Sequence, residues 1–379
     1  MPDNEINIAS LTSYKVYPAK LGGQKNIVLF YNYLSKLMPV TMICTKNNEP
    51  EDTERIHFIR ALDNSKLRYI DLFLFFSIRR IIKKNKISHL ILEHPYYGWL
   101  GILLKRFTKA KLIVRSQNIE SLRFKSIGKW WWGILWHYEK ITHRCAHHSF
   151  FIQDDDKDYA IKKFKLDPAK CTTITYGFEL NGPPGREAKQ AARDFICSKY
   201  QINKGDNILL FNGGLHYKPN LDALDIILET INPLLLKHTG FPYKIIICGS
   251  KLPEKYKALS DYKDKNILYA GFVDDITVYF KGADIFINPV NDGGGIKTKL
   301  VESLGYNLSV VSTRSGAVGV PVAITGEKMK VCADDDWEDF ALQVTTIKKD
   351  SAIPPAFFDH FYWGHIAAKA VETIKQLSK

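Results

Sequence analysis

What the sequence lacks narrows it first. No apolar run approaches the roughly 18–20 residues that a membrane-spanning helix needs, and the longest, Leu72–Ile78 and Tyr96–Leu104, stop far short. The opening residues, Met1-Pro-Asp-Asn-Glu5, are polar and acidic and lead straight into strand-like residues, which does not read as a signal peptide. There is no Cys-x-x-Cys pair. The six cysteines (Cys44, Cys145, Cys171, Cys197, Cys248, Cys332) are scattered, mostly in apolar surroundings, as expected of reduced core thiols in a cytoplasmic protein. Long Lys/Arg tracts and RNP-like aromatic motifs are missing, so little supports a nucleic-acid binder. His143 and His147 share a helix face, but no third ligand has convincing spacing, and a helix end decorated with His143, Cys145, His147 and His148 is the simpler reading. No metal site is expected.

What is present is length and positive charge. At 379 residues the chain exceeds the size at which one core stops growing, so two domains are expected. With 45% hydrophobic and 25% charged residues the composition is that of an ordinary globular protein. The net charge of +13 calls for an anionic partner, a phosphorylated substrate or an anionic lipid surface.

Strand and helix patterns alternate along the whole chain, the signature of parallel sheets wrapped by helices, an α/β fold. Ile6–Ala9, Val40–Cys44, Arg55–Arg60, Ser88–Glu93 and Lys111–Arg115 read as strands in the first half. Gly22-Gly23 opens a helix, and Ile70–Lys84 reads as one strongly apolar helix ending in lysines. Asn181-Gly-Pro-Pro-Gly185 is the best linker in the chain, and a domain boundary is placed there. The alternation then restarts with Asn207–Phe211, Lys244–Cys248, Ile267–Ala270, Ile285–Ile287, Ser309–Ser312 and Met329–Cys332. A long last helix, Phe357–Leu377, is able to cross back to the first domain, roughly 30 Å at 1.5 Å per residue.

The stretch Asp284–Glu302 carries the chemistry. Ile285, Phe286 and Ile287 form a short buried strand, broken by Asn288, Pro289, Asn291 and Asp292, and Gly293 to Gly295 lead into an amphipathic run, Ile296–Leu304. Strand, Gly-rich turn and helix start make an anion site, because bare backbone N–H groups and the positive helix end converge there. Lys297 and Lys299 add positive charge where the helix dipole alone disfavours it, which makes sense if a dianion binds. Glu302, about two turns in, puts a carboxylate behind the phosphate site, within reach of ribose hydroxyls. The reading is a nucleotide-diphosphate pocket.

Ligands of such sheets bind at the carboxyl ends of strands, which singles out three places in the first half. Gly22-Gly23 is either a tight turn or a ligand contact. His94, in Glu93-His94-Pro95, is exposed to the crevice in this reading or else a satisfied structural histidine. Asn118 and Glu120, in Ser116-Gln-Asn-Ile-Glu120, bind sugar hydroxyls or cap the helix that follows. Asp154-Asp-Asp156 fits the acidic first turn of a helix.

Residues 122–140 mix four tryptophans with Arg123, Lys125, Lys129 and Lys140. Tryptophan beside lysine suits the headgroup region of a bilayer. Trp132, Leu135, Trp136 and Glu139, by contrast, recur at helical spacing, so part of the stretch faces a core. Contact with an anionic membrane surface and core packing both stay open.

Phe211-Asn-Gly-Gly, Lys218-Pro-Asn-Leu-Asp-Ala-Leu, Gly271-Phe-Val-Asp-Asp, Gly293-Gly-Gly-Ile-Lys-Thr-Lys-Leu-Val-Glu302 and Val310-Val-Ser-Thr…Gly316-Ala-Val-Gly319 together resemble the C-terminal half of the retaining nucleotide-sugar glycosyltransferases of family four. Gly22-Gly23, Glu93-His94-Pro95, Ser116–Glu120 and Tyr176-Gly-Phe-Glu179 resemble their N-terminal half more loosely. The resemblance implies a GT-B fold: an acceptor-binding Rossmann-like domain over 1–180, a nucleotide-sugar-binding one over 181–355, and a returning helix over 356–379. It implies that Lys218 and Lys299 hold the donor diphosphate, with His94 near the donor sugar as the third catalytic residue. Gly23, Gly214, Asp292, Gly294, Gly295, Ile296 and Lys297 would line the donor site, Phe272 and Val273 would border the base, and Glu302 would take the ribose. Asn118 and Glu120 fall to the acceptor. One departure stands out: the first of the family's two glutamates, eight residues apart, falls on Gly294, and Asn291 or Asp292 is the nearest replacement.

The implied activity is metal-independent, cofactor-free transfer of a sugar, with retention, from a nucleotide-diphosphate donor to a hydroxyl of a glycan or lipid-linked acceptor. Polysaccharide or cell-envelope glycan synthesis is the expected setting, in the cytoplasm or peripherally on the inner membrane face. A nucleotide-sugar epimerase on the same fold and a non-enzymatic membrane-surface binder are the competing readings.

Overall fold

The computed structural model of the chain describes residues 6–19, 22–50, 55–292 and 295–378. Within these, the chain forms two compact units. One comprises residues up to Gly177 together with Trp363 onward, and the other spans Phe178–Tyr362.

The first unit holds a parallel sheet of seven strands: β1 (Ile8–Thr12), β2 (Val40–Thr45), β3 (Ile56–Leu62), β4 (His89–Glu93), β5 (Lys111–Ser116), β6 (His148–Phe151) and β7 (Cys171–Thr173), in the order β3-β2-β1-β4-β5-β6-β7. The central strands are buried along their whole length, as continuous apolar runs such as Leu90-Ile-Leu require when helices cover both faces. β3 sits at the edge and alternates buried and exposed residues, which accounts for its mixed composition. The second unit holds six parallel strands: β8 (Asn207–Asn212), β9 (Tyr243–Cys248), β10 (Ile267–Gly271), β11 (Ile285–Asn288), β12 (Ser309–Thr313) and β13 (Met329–Cys332), in the order β10-β9-β8-β11-β12-β13. Ile245, Ile246 and Ile247 are fully buried there, each worth about 1.5–3 kcal/mol.

Three local expectations need correction. The apolar helix read over Ile70–Lys84 is broken. A short 3-10 helix, Lys66–Ile70, precedes a helix that starts only at Leu74. Leu67, Ile70, Leu72, Phe73 and Phe76 are exposed rather than buried. The closing helix is likewise two helices, Pro355–Phe361 and Trp363–Ser378, separated by an extended Tyr362. The first belongs to the second unit, where the Phe178 N–H donates to the Phe361 carbonyl at 2.5 Å. The second packs on the helix Gly22–Leu34 of the first unit. Glu302, finally, lies a little over one turn, not two, into the helix Thr298–Gly305.

Among the described residues no helix is long and apolar enough to cross a membrane. All six cysteines are free thiols.

Candidate functional site

Each sheet reverses its strand order once, and in an open α/β sheet a crevice forms at that switch point. In the first unit the reversal falls between β1 and β4. The loop after β1 brings Tyr14 and the helix start at Gly23, and the residue after β4 is His94. With Asn118, Glu120 and Arg123 they line a cavity of about 860 Å³. Four residues singled out in the sequence, Gly23, His94, Asn118 and Glu120, therefore share one pocket.

His94 is buried, not exposed. Its φ of +65° places a non-glycine residue in the left-handed region, a strained conformation of the kind held at functional sites by surrounding contacts. Those contacts are on both ring nitrogens: Nε2 lies 3.0 Å from the Tyr14 hydroxyl, and Nδ1 lies 3.1 Å from Glu120 Oε1. Burial, with the Glu93 and Glu120 charges, pushes the Tyr14 hydroxyl up and keeps it protonated. Tyr96 stacks on the imidazole with 5.3 Å between centroids.

Glu120 opens the helix Glu120–Ser126, but it is already engaged. The Tyr96 hydroxyl donates to Oε2 at 2.6 Å, and Arg123 donates from Nε at 2.9 Å and Nη2 at 2.6 Å. Burial alone would raise its pKa. The bonds and charges of His94, Arg123 and Tyr96 outweigh that and hold it down at about 2. Below it, Glu139 from the helix Trp132–Cys145 accepts from the Glu120 and Ser121 N–H groups at 2.9 and 3.0 Å and from the Ser121 hydroxyl at 2.7 Å. The helix read as capped by Asn118 or Glu120 is thus capped from outside. Glu93 is a structural partner: fully buried, it pairs with buried Arg115 at 3.0 Å.

The tryptophan stretch divides. Trp131 lines the pocket and packs on Phe124. Trp136 donates to the Tyr159 hydroxyl. Trp130 is 84% exposed. Sequence reasoning passed over Tyr14, Tyr96, Lys66 and Tyr69, which also line the cavity. Tyr14 was reachable, because it follows a strand at the switch point.

In the second unit the reversal falls between β8 and β11. The chain leaves the sheet there through residues 213–217 after β8 and from residue 289 onward after β11. Gly293 and Gly294, the latter a predicted donor contact, lie outside the described residues. Gly295 has φ of +75°, a conformation glycine adopts without strain. Ile296 packs on Gly319, where an added Cβ would meet the Ile296 Cβ at 2.9 Å, so the small-residue loop after β12 closes on this turn. The helix Thr298–Gly305 follows with Lys297 at its cap position, and the Lys297 side chain makes no capping bond. Its first N–H groups and its positive end suit an anion.

Lys299 crosses from this helix to the other loop, donating to the Asn212 carbonyl and to Asn220 Oδ1, both at 2.7 Å. It lies against Gly213, where an added Cβ would come within 2.9 Å of Nζ. Burial first, then the Lys297 charge, push its pKa down to about 7 against the pull of Glu302. Burial also lowers Lys297, with Asp292 opposing. Lys218 heads the helix Lys218–Ile226, and its ammonium is exposed and paired with Asp222 at 2.5 Å. Gly214 accepts from Asn220 of that helix. Buried Oδ1 atoms of Asn212 and Asn288, at the ends of β8 and β11, have no donor among the described residues. Phe272, exposed at the end of β10, and Val273 stand two strands from β8, roughly 10 Å at the usual strand spacing. Among the described residues no group of three or more His, Cys, Asp or Glu could hold a metal ion.

Two Rossmann-like units, each with its loops gathered at its own switch point, define the GT-B class of fold. A glycosyltransferase from Rickettsia africae is similar over 99% of both chains, with a TM-score of 0.74 and 17% identity. The UDP complex of Anabaena HepE matches 98% of this chain and all of its own, with a TM-score of 0.67 and 11% identity. Residues 22–181 match the model described as Glycosyltransferase Family 4, and residues 206–350 that described as Glycosyl transferases group 1. The chain belongs to the family-four type of glycosyltransferases. It is 23% identical, over 84% of its length and 85% of the relative's, to an uncharacterized 44.6 kDa protein in the cps region of Klebsiella pneumoniae. It is 20% identical, over 81% of its length and 77% of the relative's, to the UDP-Gal:alpha-D-GlcNAc-diphosphoundecaprenol alpha-1,3-galactosyltransferase of Escherichia coli.

Proposed function

We propose that this glycosyltransferase moves a sugar from a nucleotide-diphosphate donor to a hydroxyl of a glycan or lipid-linked acceptor, with retention of anomeric configuration, in cell-envelope polysaccharide synthesis. The observation that carries the reading is the start of the helix Thr298–Gly305, with a lysine at its cap position and a second, Lys299, in its first turn. The donor diphosphate binds there, Glu302 takes the ribose, and Phe272 and Val273 border the base. The lipid-linked acceptor named for the Escherichia coli relative and the UDP bound by the Anabaena protein support this choice of substrates.

In the reaction the acceptor oxygen bonds to the anomeric carbon as the bond to the leaving phosphate oxygen breaks, on the same face. The acceptor proton passes to that phosphate oxygen. The protein's part is to position the partners and stabilise the developing diphosphate charge. The acceptor binds in the pocket of the first unit, near Asn118 and Glu120, with His94 held by Tyr14 and Glu120 beside the transferred sugar. The helix end and lysines supply the positive charge that a metal provides elsewhere, so the enzyme works without metal or further cofactor. It acts in the cytoplasm at the inner membrane face, to which the 122–140 stretch contributes.

UDP, GDP or ADP should raise the melting temperature. Lys299→Ala should weaken that nucleotide by about 1.5–3 kcal/mol, roughly ten- to a hundredfold. The reading falls if no nucleoside diphosphate shifts the wild type at millimolar concentration.

A further inference from the structure

The segment that departs most from its sequence reading is Leu67–Phe76. A run of apolar residues should fold inward, yet Leu67, Ile70, Leu72, Phe73 and Phe76 are 63–80% exposed. Helix Leu74–Lys84 already buries Leu74, Ile78 and Ile82 on its inner face, so this is a second apolar surface on the same segment. Five such side chains within ten residues form a patch larger than scattered surface leucines.

Cations stand behind the apolar residues. Arg80 follows Phe76 by four positions, about 6 Å along the helix, with Lys83 and Lys84 beyond, and the helix carries no acidic residue. That depth matches the 5–10 Å to which interfacial side chains enter the headgroup–acyl boundary, leaving lysine and arginine among the headgroups.

The same composition repeats in a second segment beside the pocket. Ile127, Trp130 and Ile134 are exposed, Lys125 and Lys129 accompany them, and no acidic residue occurs between Ser121 and Tyr138. Lys66 and Tyr69, next to the first strip, and Trp131 and Leu135, next to the second, all line the cavity that contains His94. Both apolar strips therefore adjoin residues that line this cavity, as rims accompanied by positive charge.

We infer that the first unit docks onto an anionic lipid bilayer through both rims, with the Leu67–Phe76 strip as the principal anchor. A lipid-linked acceptor then enters the pocket beside the rims from the bilayer. The entry route rests on the acceptor being lipid-linked; the docking surface does not.

The test uses the full chain and sedimentation with vesicles of phosphatidylethanolamine and phosphatidylglycerol, against pure phosphatidylcholine. Wild type should pellet with the anionic vesicles and be released by added salt. The quadruple variant Leu67→Ser, Ile70→Ser, Phe73→Ser, Phe76→Ser should lose more than about tenfold in bound fraction, and Trp130→Ala less. Both should keep the wild-type melting-temperature shift with nucleoside diphosphate, which shows that they fold and leaves the donor reading standing. Wild type that stays in the supernatant, or a quadruple variant that pellets as well as wild type, overturns the docking surface. So does a wild-type dimer that the quadruple variant converts to monomer without vesicle binding, because the strip then covers a second copy. Loss of the nucleotide shift in wild type would instead count against the proposed donor.

Discussion

Lys299 shows how one side chain can be both tie and sensor. Its ammonium spans the two loops at the β8–β11 switch point, and burial lowers its pKa to about 7 from the usual 10.5. The folded state therefore gives up this proton near neutrality while the unfolded chain keeps it to about pH 10.4. The penalty of the buried charge is present in full below pH 7 and is relieved as pH rises. A bound diphosphate reverses the balance by favouring the cation. Nucleoside diphosphate affinity should accordingly fall as pH rises from 7 to 9, with proton uptake on binding measurable by calorimetry in buffers of different ionisation enthalpy. Lys299→Arg should flatten the profile, since arginine stays charged.

Glu120 has the opposite sign. Its folded pKa is depressed to about 2 from 4.5, so its contribution is complete above about pH 4.5 and is lost as pH falls toward 2. At 1.36 kcal/mol per unit that is on the order of 3 kcal/mol. Glu120→Gln should destabilise at pH 7 by about that amount and remove this part of the acid sensitivity, read as denaturant midpoints at pH 7 and pH 3.

At the scale of elements, the helix Glu120–Ser126 is held by a residue from its neighbour. Glu139 accepts from both buried helix-start N–H groups and from the Ser121 hydroxyl, although burial raises its own pKa to about 7 against those bonds. Removing the carboxylate leaves buried donors without partners at about 1–3 kcal/mol each. Glu139→Ala should cost about 2–4 kcal/mol in urea unfolding and loosen the pocket wall that carries Glu120 and Arg123. The helix start at Thr298 is treated in the opposite way. A lysine that makes no capping bond occupies the cap position, an arrangement unfavourable for the helix alone and favourable once an anion binds.

For the whole molecule, two units each place a site at their own strand reversal, a pocket lined by aromatics in one and a cationic turn in the other. Charge that other transferases draw from a divalent cation is available here from lysines and a helix end. Sugar transfer or slow donor hydrolysis should therefore persist in EDTA at near wild-type rate. A loss restored by Mg²⁺ or Mn²⁺ would show that the protein groups do not suffice.

The sequence by itself determined the parallel α/β architecture, the positions of the strands and a Gly-rich turn that leads into a helix start with two lysines. These rest on local patterns: apolar runs of strand length, glycine beside a helix start, and two lysines where the dipole disfavours them. It also placed Gly23, His94, Asn118 and Glu120 at strand ends. Only the tertiary structure decided that they share one cavity, that His94 is clamped between Tyr14 and Glu120, and that Glu139 rather than a neighbour in sequence caps the helix. Those partners lie between 18 and 80 positions apart, and no local pattern encodes which loops meet. The apolar run after Leu67 shows the same limit from the other side. Periodicity measures how apolar a segment is, but whether it turns inward depends on what the rest of the fold leaves room to cover, and here the inner face was already filled by Leu74, Ile78 and Ile82.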